Sequence, residues 1–125
     1  MVSRFAQWTL DVHDLPLMAD FWSKALDLRV EHLDDRSAKL YPPDGAAPDV
    51  PTVWLQPTAP GKTQKNRLHP DLRPVDGNVE AEIERLLALG ATRADVGQTG
   101  DEPFVVLADP EGNELCVLRN EPRKV

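Results

Sequence analysis

The sequence predicts an α+β fold built from two successive βαβββ units. Three observations carry that reading. Short apolar runs and alternating stretches, the marks of strands, are interrupted by two helical apolar stripes. The same order of patterns occurs in both halves. Short matching segments recur in that order along the chain.

In the first half, "FAQWTLDV" (5–12) sets apolar Phe5, Trp8, Leu10 and Val12 against Gln7, Thr9 and Asp11. This is a strand with two unlike faces. "DLPLMADFWSKALDL" follows. Asp14 is placed to cap a helix and Pro16 falls in its first turn, where a missing amide costs nothing. Leu17, Phe21, Trp22, Leu26 and Leu28 form the expected apolar stripe. "RVEHL" and "SAKLY" read as strands around a "DDRS" turn, and "TVWLQP" as another strand after the loop "PPDGAAPDVP". "TAPGKTQK" is a polar linker.

The second half repeats the order. "NRLHPDLRPV" reads as a strand and "DGNVEAEIERLLALG" as a helix striped by Val79, Ile83, Leu86, Leu87 and Leu89, which Gly90 stops. "ATRADV", "EPFVVLAD" and "NELCVLR" read as strands, with "PEG" as a turn. "ALD" (25–27) answers to "ALG" (88–90), "LYPPDG" (40–45) to "LADPEG" (107–112), and Asp14 to Asp76. The expected organisation is one domain over 1–125, with repeat one at about 4–57, a linker at about 58–64 and repeat two at about 65–120.

The totals narrow the function. The chain has 125 residues and a formal net charge of −7. Acidic balance opposes non-specific nucleic-acid binding, and the basic residues are scattered apart from Arg119, Arg123 and Lys124. No apolar run approaches the roughly 20 residues of a membrane span. The N-terminus carries no signal-peptide pattern, and the lone Cys116 fits a reducing compartment. A cytoplasmic location is expected, with neither nucleic acid nor membrane as partner.

The duplication converts sequence positions into spatial ones. Residues 7 and 69 are 62 apart, so Gln7 answers to His69, Thr9 to Asp71 and Asp11 to Arg73. Residues two apart on a strand share a face. Each first strand then carries one polar row, expected to line a hollow. Trp8, Leu10, Val12, Leu68 and Leu72 are expected under the helices. A structural charge network of Asp71, Arg73 and Asp11 is an alternative account of the same row. Pro70 and Pro74 remove two amide donors on one side, which places their strand at a sheet edge or seam. In the last strand Glu114, Cys116 and Leu118 share a face, and periodicity leaves open which face is inward. The repeat aligns Cys116 with about Val53.

"LADPEGNELCVL" (107–118) together with "NRLHPDLRPVD" (66–76) resembles the glyoxalase/bleomycin-resistance/dioxygenase group, the vicinal oxygen chelate superfamily, and in particular its small glyoxalase-like domain proteins. The resemblance implies that the two units curve into a cupped, open mixed β-barrel with the helices outside, and that the chain pairs as a homodimer. Enzymes of the family hold a divalent metal in the cup with ligands from the first strand of each unit and from the last. Here the corresponding residues are Gln7, His69 and Cys116, with Glu114 as the alternative if the register shifts by two. The family's glutamate position is occupied by Cys116, and Val53 has no ligating atom. A set of imidazole, thiol and amide suits hard ions poorly and favours a soft one such as zinc.

The departure favours a small-molecule binding protein with a degenerate metal site and no cofactor. Its expected ligand-binding residues are Gln7, Thr9, Asp11, Trp54, His69, Asp71, Arg73, Phe104 and Cys116. Trp54 and Phe104 would supply apolar walls. The alternative is an enzyme: a metal-assisted lyase, isomerase or ring-cleaving dioxygenase, or a metal-free acid–base catalyst using His69. Cys116 reads as a small core residue sooner than as a nucleophile.

Overall fold

The computed structural model describes residues 2–58 and 60–119; the predicted basic tail residues Arg123 and Lys124 lie outside them. The chain forms two compact units, Met1–Gly61 and Lys62–Val125, with the division inside the predicted linker. Both have βαβββ order. The first contains β1 (Gln7–Asp11), α1 (Leu15–Leu26), β2 (Arg29–Leu33), β3 (Ala38–Tyr41) and β4 (Thr52–Gln56). The second contains β5 (Asp71–Leu72), α2 (Val79–Leu89), β6 (Thr92–Arg93), β7 (Phe104–Ala108) and β8 (Glu114–Leu118).

The two sheets have the same topology. Strand order is β1-β4-β3-β2 in one and β5-β8-β7-β6 in the other. In each, the first strand of the unit pairs parallel with the last, and the remaining pairs are antiparallel. The helix and the two strands after it together make the long connection that a parallel pair needs. The edge position of β5 agrees with Pro70 and Pro74. Regular pairing there shrinks to two residues, far less than the ten of "NRLHPDLRPV", because two prolines withhold donors.

In the first unit, α1 opens on Asp14, whose side chain accepts from the Leu17 amide at 3.1 Å, with proline in the first turn. It ends at Asp27, which adopts a left-handed conformation with φ 54°. Its buried face is Leu15, Met18, Ala19, Phe21, Trp22 and Ala25. Leu17, expected in the stripe, is exposed, and Met18 takes the inward place. The sheet contributes Ala38 and Leu40 from β3 and Val53 and Leu55 from β4, all buried at alternate positions. The expectation for Trp8 is corrected. It lies opposite buried Val53 on that face of the sheet, yet it is 46 % exposed, and its ring meets Phe5 edge-on at 5.0 Å.

In the second unit, Ile83 and Leu86 of α2 are buried, as are Leu107 of β7 and Leu115 and Val117 of β8. Asn78 caps α2 by accepting from the Ala81 amide. Asp76, matched to Asp14 by sequence, instead accepts from the Asn78 amide and shapes the approach to the helix. Gly90 ends α2 at φ 123°, which explains the glycine.

Candidate functional site

The second unit brings three reactive side chains together. Cys116 lies opposite Asp71 in the β5–β8 pairing, and its amide donates to the Pro70 carbonyl at 3.0 Å. His69 lies two residues before Asp71 on the same edge segment. Its Nε2 is 3.4 Å from Asp71 Oδ1, an ion pair whenever the imidazole is protonated. One ligand-type atom from each of His69, Asp71 and Cys116 lies within 4.8 Å of the others. Cys116 is buried, whereas His69 and Asp71 reach solvent. The cluster therefore has a closed thiol floor and an open carboxylate–imidazole rim.

The thiol is strongly biased toward its neutral form. Burial pushes the Cys116 pKa up to about 11, and the Asp71 carboxylate adds to the rise by repulsion and by accepting from the thiol; Lys65 opposes it weakly. Phe104 and Val106 of β7 lie opposite Leu118 and Cys116, so they flank the thiol on the same sheet face.

The "DPEGNE" turn acts as the scaffold beside this cluster. Asp109 is buried, and its Oδ1 accepts from the Glu111 and Asn113 amides, both at 2.9 Å. Gly112 sits at φ 87°, which the turn requires. Asn113 Oδ1 accepts from the Asn66 side chain, and the Glu114 amide donates to Asn66 Oδ1. Glu114 Oε1 accepts from the Asn66 amide at 3.2 Å. Its Oε2 lies 3.2 Å from Lys62 Nζ, an ion pair off the axis of a hydrogen bond. Burial raises the Glu114 pKa, but backbone donation, the Lys62 ammonium and the Asn66 amide together hold it below the ordinary carboxylate range. Glu114 thus fastens residues 62–66 over its own sheet face, while Cys116 joins His69 and Asp71.

The remaining expected residues lie as follows. Arg73 is exposed just beyond β5, and Gln7, Thr9 and Asp11 are exposed on β1. Thr9 lies opposite Trp54 in the β1–β4 pairing. Since Asp71 lies opposite Cys116 in the same way, the repeat equates Cys116 with Trp54, one residue from the alignment with Val53. Lys62, Asn66 and Lys39 were not singled out by sequence. Their signal is positional: each is a polar residue whose partner is set only by strand register or by the path of the linker.

A metal fits the donor set of the second unit. Zinc accepts histidine nitrogen, carboxylate oxygen and thiolate, and its catalytic sites keep three protein ligands and an open position. Donors around such an ion are about 3 to 4 Å apart at ordinary bond lengths, a spacing near that of this cluster.

The class of protein follows from this doubled topology and from comparison with known families. Residues 7–118 match the family model described as "Glyoxalase-like domain". The chain belongs to this family, within the vicinal oxygen chelate superfamily. Solved structures agree at the level of fold. The fosfomycin resistance protein FosX from Mesorhizobium loti is similar with TM-score 0.72 and 14 % identity, covering 99 % of this chain and 98 % of that one. A FosX mutant from Listeria monocytogenes, complexed with Mn(II) and 1S,2S-dihydroxypropylphosphonic acid, gives TM-score 0.73 and 13 % identity, covering 99 % and 95 %. A glyoxalase/bleomycin resistance protein from Albidiferax ferrireducens T118 gives 0.65 and 19 %, covering 95 % and 100 %. No match to a curated protein was found.

Proposed function

We propose that this protein is a small-molecule binding member of the glyoxalase-like family that works without a resident metal, using the His69–Asp71–Cys116 face as the polar end of its ligand site. The observation that carries the reading is the grouping of a buried thiol beneath an exposed carboxylate and imidazole. The thiol has an acceptor in Asp71, so the cluster satisfies its own protons. The open rim offers a carboxylate acceptor and an imidazole that donates or accepts, and Phe104 offers apolar surface beside them. The reading extends to Gln7, Thr9, Asp11, Trp54 and Arg73 as ligand contacts through the family's fold, and to a cytoplasmic homodimer. Sedimentation of the purified chain tests the dimer.

The test is thermal shift against a metabolite library, run on metal-stripped protein and again with zinc or manganese. Ligands that raise the melting temperature of metal-stripped protein, and lose that effect in His69→Ala, support the proposal. One tightly held divalent ion per purified chain, lost in His69→Ala, overturns it.

The second reading is a zinc-assisted enzyme, which the 4.8 Å grouping of three donor types favours. His69, Asp71 and Cys116 would hold the ion, which would supply Lewis-acid polarisation of a substrate oxygen. The raised thiol pKa means that loading releases the Cys116 proton, so apparent affinity rises with pH. Zinc titration at two pH values, read by proton release, tests that chemistry apart from any turnover.

A further inference from the structure

We infer that the first unit's part of the ligand site, centred on Trp54 and Lys39, recognises planar aromatic acids. In the β3–β4 pairing Lys39 lies opposite Trp54, and its ammonium sits 4.8 Å from the indole centroid. Ala38 and Leu40, on either side of Lys39, are buried on the helix side of the sheet, so Lys39 and Trp54 occupy the opposite face. Among the described residues no carboxylate approaches the Lys39 ammonium within ion-pair distance. Its charge meets the Trp54 ring.

A second, independent feature points to the same ring. Trp54 Nε1 is buried and, among the described residues, has no hydrogen-bond acceptor. Buried donors are nearly always paired, because an unmade bond forfeits the solvation the group gave up. One ring therefore presents a π-face, a cation over that face and an orphan N–H. A planar ring stacks on the first, a carboxylate neutralises the second, and the third marks an acceptor that the described residues do not supply. An aromatic carboxylate meets ring and cation together and carries acceptor oxygens, whereas a neutral aromatic uses only the π-face.

The repeat gives this arrangement its sense. Trp54 is the counterpart of Cys116, and Lys39 of Val106, because each pair occupies the same place in its sheet. The copies have diverged, one to imidazole, carboxylate and thiol and the other to aromatic and cation. The inference rests on the proposed small-molecule function, and its own residues lie in the first unit alone.

The test uses benzoate as probe, with benzyl alcohol as the neutral control, and reads the indole N–H resonances by NMR. Trp54→Phe assigns the Trp54 signal. Benzoate is expected to move that signal saturably, at concentrations where benzyl alcohol does not. Lys39→Gln is expected to weaken benzoate about tenfold, the loss typical of one charged partner, and Lys39→Arg to restore it. A Trp54 signal unmoved by benzoate, or moved equally by benzyl alcohol, overturns the inference. So does a response kept in Lys39→Gln and abolished in Cys116→Ser, which would assign binding to the second unit.

Discussion

At the scale of single residues, the protein contrasts two acids on one strand face. Glu114 and Cys116 are two apart on β8, yet one is held ionised and the other neutral. Glu114 has a lysine and backbone donors, whereas Cys116 has burial and a carboxylate. At pH 8, Cys116 is therefore expected to react with iodoacetamide about a hundredfold more slowly than an unhindered thiol, since about two pKa units separate it from the ordinary value. Asp71→Asn removes the repelling charge and is expected to speed that reaction. Mass-spectrometric timing of alkylation checks both. Glu114 has the opposite sign. Its folded pKa lies below the unfolded one, so its contribution is present above the unfolded value and lost as pH falls through the folded value. The stability gap between wild type and Glu114→Gln should therefore close on acidification, as measured by urea unfolding at several pH values.

At the scale of elements, the turn at 109–113 organises more than its own hairpin. Asp109 satisfies two amides and the Asn113 side chain, and Asn113 then anchors Asn66. Asp109→Ala would leave those part-buried donors without this acceptor. A loss of about 2 to 4 kcal/mol is expected, read as a lowered urea midpoint. The cap of α1 is a milder case: Asp14→Ala removes one bond to the Leu17 amide and should cost about 1 kcal/mol. The Asp14 cap and the glycine stop of α2 follow from local chemistry and are readable in sequence, whereas the α2 cap fell to Asn78 and not to Asp76. The length of β5 was not, because the prolines set its edge position while the regular pairing depends on where β8 comes to lie.

At the scale of the whole molecule, duplication is the organising fact. Two sheets of identical strand order follow one another, joined at Gly61–Lys62. Pro57, Thr58, Pro60 and Gly61 are exposed, so the join is expected to be cleaved first by a non-specific protease, with both units left intact. Lys62 should resist trypsin for longer, because its ammonium is tied to Glu114, and Glu114→Gln should release it. Gel electrophoresis with mass determination of the fragments checks both outcomes.

The sequence by itself determined the βαβββ order, the α1 cap, the edge-or-seam placement of the Pro70 segment and the family. Each rests on short-range periodicity, on the chemistry of a few adjacent residues, or on a motif. Tertiary structure alone decided that Asp71 meets Cys116, that Glu114 is bound to Lys62 and Asn66, and that Lys39 covers Trp54. Those pairings join residues far apart in the chain, and a slip of one position in strand register would turn each side chain to the other face.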